Sequence, residues 1–258
     1  MDCSFLVDNM VWSYSRIVAF EDCPYRFLLT YILKIPRIRH KFFSDYGTFV
    51  HHIIQKYLTG ELKKEELAGY YLSHFYEYVI GKSPDMKIFS KYFSQGLQYF
   101  KNVRITDEKV LGVEQEFRFD IGNKNFVGYI DKLYEDDDGL VIADNKSRIL
   151  EPRSGKCKPT KNDKELDKYL RQLYLYSEAV RQKYGIFPYR LEFNCFRSGT
   201  TVSEKFDEHA FAETKKWTTD MIKGISNETE WAPKIDWFSC KYLCDQSDNC
   251  EYFQMYER

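Results

Sequence analysis

Three strand-like runs stand almost end to end in the middle of this chain, and they restrict it to folds built on an antiparallel meander. The runs are VLGVEQEFRFDIG, NFVGYIDKLYE and GLVIADNKS, separated by the turn-formers Gly122-Asn123 and Asp136-Asp137-Asp138-Gly139. Val, Ile, Phe and Tyr dominate them, and connections this short make only hairpins.

The flanks read as helices. Residues 13–34 open with two cap candidates, Ser13 and Ser15, and then place Ile17, Phe20, Phe27, Leu28, Tyr31 and Ile32 at helical spacing, with Pro24 beginning a new turn. Residues 46–58 repeat Tyr46, Phe49, Val50, Ile53, Ile54, Tyr57 and Leu58 at intervals of three and four, an amphipathic stripe. Further helices are expected over 64–80, 87–102, 165–184 and 207–225, with a polar loop over 156–164, a strand over 189–197 and an irregular cysteine-bearing tail. This order predicts an α/β fold with helices flanking a central sheet. We expect one domain over 1–258, with a mainly helical part (1–105), a core (106–200) and a C-terminal helix and tail (201–258).

Composition narrows the function classes. Hydrophobic residues make up 43% and aromatics 17%, which fits a folded chain and not a disordered one. Lys plus Arg (38) nearly cancels Asp plus Glu (39), so a nucleic-acid partner has to be argued from a local site and not from a global field. There is no Gly-x-x-x-x-Gly-Lys-Ser/Thr phosphate loop, so an ATP-driven motor is not expected. No apolar run approaches the roughly 18 residues of a membrane span, and Asp2 and Asp8 open the chain without a basic lead-in. The expectation is a cytoplasmic protein with no membrane partner.

The acidic hairpin carries the chemistry. Pairing symmetrically about a two-residue loop at Asp137-Asp138 sets Asp131 directly across from Asp144, with Cβ atoms about 4.5–5.5 Å apart on one face. Lys146, two residues on, points to that face as well. Adjacent carboxylates repel, and one takes up a proton unless a divalent cation joins them. Oxygen donors at this density suit Mg2+ or Mn2+, which polarise a phosphate and lower the pKa of a water, while Lys146 holds that water or the developing negative charge. Asp144 also closes the apolar run 140–143, where a charge is costly unless it is used. A register slip of one residue would put the two aspartates on opposite faces. On the second helix, His51 lies at the margin of the apolar stripe beside Gly47, able to reach a helix–sheet boundary as a metal ligand, whereas His52 points away.

Together these residues resemble the PD-(D/E)XK nucleases, in particular the RecB-like branch with an iron–sulfur cluster found in CRISPR adaptation nucleases and AddB. The likeness is carried by Ser15-Arg16 through Cys23-Pro24, Gly47-Thr48-Phe49-Val50-His51, Glu114, Gly128-Tyr129-Ile130-Asp131, Asp144-Asn145-Lys146, Gln172-Leu173-Tyr174-Leu175-Tyr176, and Cys240, Cys244 and Cys250. It implies a restriction-endonuclease-like core with a mixed sheet. It implies further that His51, Asp131, Asp144 and the Asn145 carbonyl bind the metal, that Lys146 is the catalytic lysine, and that Glu114 joins them, although Glu116 has the same parity. Gln172 and Tyr176, four apart on one helix face, would position DNA. Asn145 departs from the apolar or aromatic residue usual in relatives. The implied activity is Mg2+- or Mn2+-dependent DNA hydrolysis, by an exonuclease on single strands or DNA ends, possible endonuclease action being left open. The implied partners are DNA and a protein of recombination, repair or CRISPR type. The alternative is a non-catalytic DNA-binding or assembly subunit that keeps the fold.

Seven cysteines, at 3, 23, 157, 195, 240, 244 and 250, are an odd number in a long chain, which argues against a disulfide framework. Cys23 with Cys240, Cys244 and Cys250 supplies four thiolates, enough for a [4Fe–4S] cluster or a tetrahedral zinc. The resemblance favours iron–sulfur, although the spacing Cys-x3-Cys-x5-Cys departs from the Cys-x2-Cys common in relatives. Such a site would close a long loop and stabilise the chain. Cys3, Cys157 and Cys195 are left over.

Overall fold

The computed structural model describes residues 4–103 and 108–257; Cys3 lies outside them. Among the described residues one mixed sheet runs in the order β1 (Lys109–Ile121), β2 (Lys124–Asp136), β3 (Gly139–Lys146), β4 (Arg190–Cys195), β5 (Thr200–Lys205). The first three strands form the expected meander. Its second turn is held by the Asp136 carboxylate, which accepts from the N–H groups of Asp138 and Gly139 at 3.0 and 3.2 Å. The register runs from Asp136↔Gly139 to Lys132↔Ala143, so Asp131 and Asp144 face each other one step beyond the last pair, as the symmetric hairpin requires.

β3 then pairs in parallel with β4, which demands a crossover. The long helix α7 (Lys161–Tyr184) supplies it. It begins four residues earlier than its apolar pattern suggests, because Thr160 and Asp163 form a reciprocal cap: the Asp163 N–H donates to Thr160 Oγ1 (3.2 Å) and the Thr160 N–H to Asp163 Oδ2 (2.6 Å). Lys161 and Lys164 therefore sit on the helix and not in a loop. Gly185, in the left-handed region at φ 80°, ends it. The sequence reading has no counterpart for β5, a polar edge strand.

Two apolar clusters hold the sheet. One joins it to α2 (Tyr14–Asp22), α3 (Pro24–Phe27), α7 and α8 (Glu208–Ser226), through side chains such as Phe27, Phe126, Leu133, Leu173 and Phe193. The other is built by α4 (Phe42–Leu58), α5 (Lys64–Tyr78) and α6 (Met86–Lys101) around Phe49, Ile53, Tyr71 and Phe75, and takes in Phe196 just after β4. Each such fully buried side chain contributes about 1.5–3 kcal/mol. α6 approaches closely because of Gly96: a Cβ there would fall 2.5 and 2.7 Å from the hydroxyls of Tyr71 and Tyr46.

The tail is less irregular than expected, ending in the helix Glu251–Glu257. It is stitched to the first forty residues. Arg26 pairs with Asp245 at 2.9 Å, Gln246 and Asn249 donate to the carbonyls of Ile35 and Pro36, and Lys41 donates to Ser247 Oγ at 2.7 Å. Arg39 lies 3.3 Å from Asp248. The basic stretch before α4 is thus docked on the tail. Among the described residues no helix is long and apolar enough to cross a membrane.

Candidate metal centre

The end of the meander meets the side of α4. His51 sits there because its helix buries Phe49, Val50, Ile53 and Ile54 and leaves residue 51 at the edge of that face. Its Nδ1 lies 3.3 Å from Asp131 Oδ2 and 3.5 Å from Glu114 Oε1, while Nε2 lies 2.9 Å from the Asn145 carbonyl oxygen. Donor atoms of His51, Glu114 and Asp131 all fall within 4.8 Å of one another. Parity on β1 did not separate Glu114 from Glu116, and the structure does. Glu116 turns to Arg118 and Tyr129, at 2.8 and 2.6 Å. Glu114 reaches the centre from a left-handed backbone, φ 46°, a conformation that costs a non-glycine residue about 1–3 kcal/mol.

Asp144 stands beside this trio and faces α7. Its Oδ2 lies 2.8 Å from Lys146 Nζ, and its Oδ1 accepts from Gln172 Nε2 at 2.9 Å. Gln172 also accepts from Lys146 Nζ (2.8 Å) and touches the Tyr176 hydroxyl at 3.3 Å, so the two α7 residues four apart do share the site. Tyr176 packs flat on Gly128, where a Cβ would come within 2.4 Å of its ring. The Asn145 N–H donates to Asp131 Oδ2 at 2.7 Å.

Burial makes these charges expensive. Asp131 is 8% exposed and Asp144 4%. Burial first, then the neighbouring Asp144 charge, pushes the Asp131 carboxyl up to about 7 despite the opposing pull of His51. For His51, burial works to lower the pKa, but the Glu114 hydrogen bond and the charges of Asp131, Asp144 and Glu114 outweigh it and raise the ring to about 9. The His51 ring thus lies against two carboxylates whose oxygens a cation would also satisfy. Asp144 Oδ2 is buried and accepts no well-aligned hydrogen bond, although the Lys146 ammonium is near. Carboxylate oxygens, a backbone carbonyl and an imidazole fit a hard divalent cation.

Sequence reasoning missed what lies behind Asn145. Its side-chain Oδ1 accepts from Asn194 Nδ2 (2.7 Å), and the same nitrogen donates to Tyr99 Oη (2.8 Å). A polar Asn194 between the buried Phe193 and Cys195 of β4 was the available signal.

The four cysteines Cys23, Cys240, Cys244 and Cys250 line one cavity of about 450 Å3 between the start of α3 and the tail. All are free thiols, and Cys23 Sγ accepts from the Lys234 N–H at 3.4 Å. Burial raises the Cys240, Cys244 and Cys250 thiols, Cys244 to about 11. No three of these sulfurs lie within 4.8 Å of one another. The cysteines share a cavity without forming a compact metal-binding group. Cys157 is exposed and Cys195 buried, both apart from the cavity.

Comparison with known proteins places this architecture. The family model described as the PD-(D/E)XK nuclease superfamily matches residues 11–251. No curated protein matches the chain. A solved structure, "Crystal structure of SSO0001", is similar at 16% identity over 89% of this chain and 94% of that one, with a TM-score of 0.31.

Proposed function

This chain belongs to the PD-(D/E)XK nuclease superfamily, and we propose that it is a metal-dependent deoxyribonuclease, acting as an exonuclease on single-stranded DNA or DNA ends. The observation that carries this reading is the convergence of His51, Glu114 and Asp131 next to the Asp144–Lys146 pair. His51, Glu114, Asp131, Asp144 and the Asn145 carbonyl would hold Mg2+ or Mn2+. Such an ion supplies Lewis acidity at a phosphate oxygen and lowers the pKa of a water.

The chain's own groups do the rest. Lys146, 18% exposed at its side chain, presents its ammonium to the water or to the negative charge that develops on phosphorus-bound oxygen. Gln172 fixes that ammonium and Asp144 relative to each other, and with Tyr176 gives the strand a polar edge to rest on. The exposed Lys156 and Lys158, and Lys161 and Lys164 on the first turn of α7, offer phosphate contacts on the approach. Exonuclease action is tested with linear and covalently closed circular single-stranded DNA in Mg2+ or Mn2+. The expected result is loss of the linear form alone. Cleavage of the circle overturns the exonuclease assignment. DNA binding with no cleavage of either form leaves a non-catalytic subunit.

For the cysteine cavity we propose a [4Fe–4S] cluster on Cys23, Cys240, Cys244 and Cys250, supported by four free thiols around one cavity. Protein purified without oxygen should carry iron and a broad visible absorption. Stoichiometric zinc and no colour would replace the cluster with zinc.

A further inference from the structure

The backbone of Asn145 touches two members of the candidate centre at once: its N–H donates to Asp131 and its carbonyl faces His51. Whatever fixes this residue fixes the distance between helix α4 and strand β2. Its side chain points to the other side of the sheet, where Ala143, Asn145, Glu192 and Asn194 wall a cavity of about 780 Å3 beneath α6. There Asn145 meets its register partner on the parallel strand, Asn194. The Asn194 amide has two hydrogens, and both are used, one on Asn145 Oδ1 and one on Tyr99 Oη of α6. Two residues further along, the Ser147 carbonyl accepts from Arg197 at 3.2 Å, and Arg197 is itself tied to Gln95 of α6 at 3.0 Å. Strand β3 is thus gripped from behind just where its front carries the centre.

We infer that Asn194 and Tyr99 are positioning residues that set the Asn145 carbonyl and N–H for cation binding, an inference that rests on the metal reading above. A buried amide without its partner loses its hydrogen bond and costs stability, but replacing both partners by apolar groups of similar shape is nearly neutral. Groups that orient a ligand from behind shift metal affinity about 10- to 100-fold. Neither Asn194 nor Tyr99 is among the candidate ligands, which are His51, Glu114, Asp131, Asp144 and the Asn145 carbonyl.

The test is direct Mn2+ binding by electron paramagnetic resonance, with the melting temperature of chelator-treated protein measured alongside. Wild type, Asn194→Leu, Tyr99→Phe, Asn145→Leu/Asn194→Leu and Asp131→Ala are compared. Asn194→Leu should bind Mn2+ about tenfold more weakly, Tyr99→Phe should show a smaller loss, and the double leucine variant should regain stability while its Mn2+ affinity stays as low as that of Asn194→Leu. If Asn194→Leu lowers the melting temperature while Mn2+ affinity stays at the wild-type value, the pair is merely structural and the inference is overturned. If Asp131→Ala also binds Mn2+ like wild type, the metal centre itself is misplaced and the inference falls with it.

Discussion

The acidic centre and the cysteine cavity are both assembled from distant parts of the chain, yet they are assembled to different degrees. At the acidic centre α4, three strands and α7 bring seven side chains, His51, Glu114, Asp131, Asp144, Lys146, Gln172 and Tyr176, against one another. At the cysteine cavity the chain provides the four sulfurs and the ion pair and hydrogen bonds that hold the tail near them, but no three of the sulfurs gather into one compact group. The first site lies on sheet strands that the fold needs anyway. The second lies where ion pairs and hydrogen bonds already tie the tail to the N-terminal segment, and an ion bound there would add its binding energy to that link.

That contrast can be broken by experiment, from large effects to small. Lys146→Gln, which keeps a hydrogen-bond donor beside Asp144, should slow DNA cleavage about 100- to 1000-fold while changing the melting temperature little, read in a single-turnover assay. Cys244→Ala should do the reverse. It should strip the visible chromophore and the iron and lower stability by several kcal/mol, measured by metal analysis and denaturant unfolding; an equally stable, equally coloured variant would remove the cluster from the account. Gly128→Ala forces a methyl against the Tyr176 ring, at about 1–3 kcal/mol, and should weaken cleavage by displacing Gln172. Glu114→Gly relieves the left-handed backbone and should raise stability by about 1 kcal/mol while weakening Mn2+ binding, a trade between fold and function visible in paired thermal melts and titrations.

The smallest effect is on pH. His51 and Asp131 both have folded-state pKa values above their ordinary ones, about 9 and about 7, so the folded, cation-free chain binds more protons than the unfolded one. Their contribution is full in acid and is lost as pH rises, for Asp131 through about 7 and for His51 through about 9. The chelator-treated protein should lose thermal stability over this window. Mn2+, which competes with those protons, should bind more tightly across the same window. Mn2+ affinity that is flat with pH would mean that His51 and Asp131 are not its ligands.

How much of this was legible depended on whether the determining contacts were local. The hairpin register followed from the turn at Asp137-Asp138, and His51 followed from its angle on a strongly amphipathic helix, so the facing aspartates and the histidine were both readable. The start of α7 was readable in principle from Thr160 and Asp163, but four polar residues masked it. β5 was not, because an edge strand of sequence TTVSEK has almost no apolar alternation to detect. Choosing Glu114 over Glu116 needed a backbone twist that parity does not encode. Tyr99 and Asn194 came together only through the packing of α6 on the sheet, a contact between positions 95 residues apart.

The central claim is that the trio around His51 and the adjacent Asp144–Lys146 pair form a cation-dependent hydrolytic site. The most direct test is cleavage of end-labelled single- and double-stranded DNA by wild type and Asp131→Ala, each in Mg2+, Mn2+ and chelator. The expected result is cleavage by wild type with either cation, none in chelator, and a loss of about 100-fold or more in Asp131→Ala. Cleavage that persists in chelator, or that Asp131→Ala performs at the wild-type rate, would contradict it.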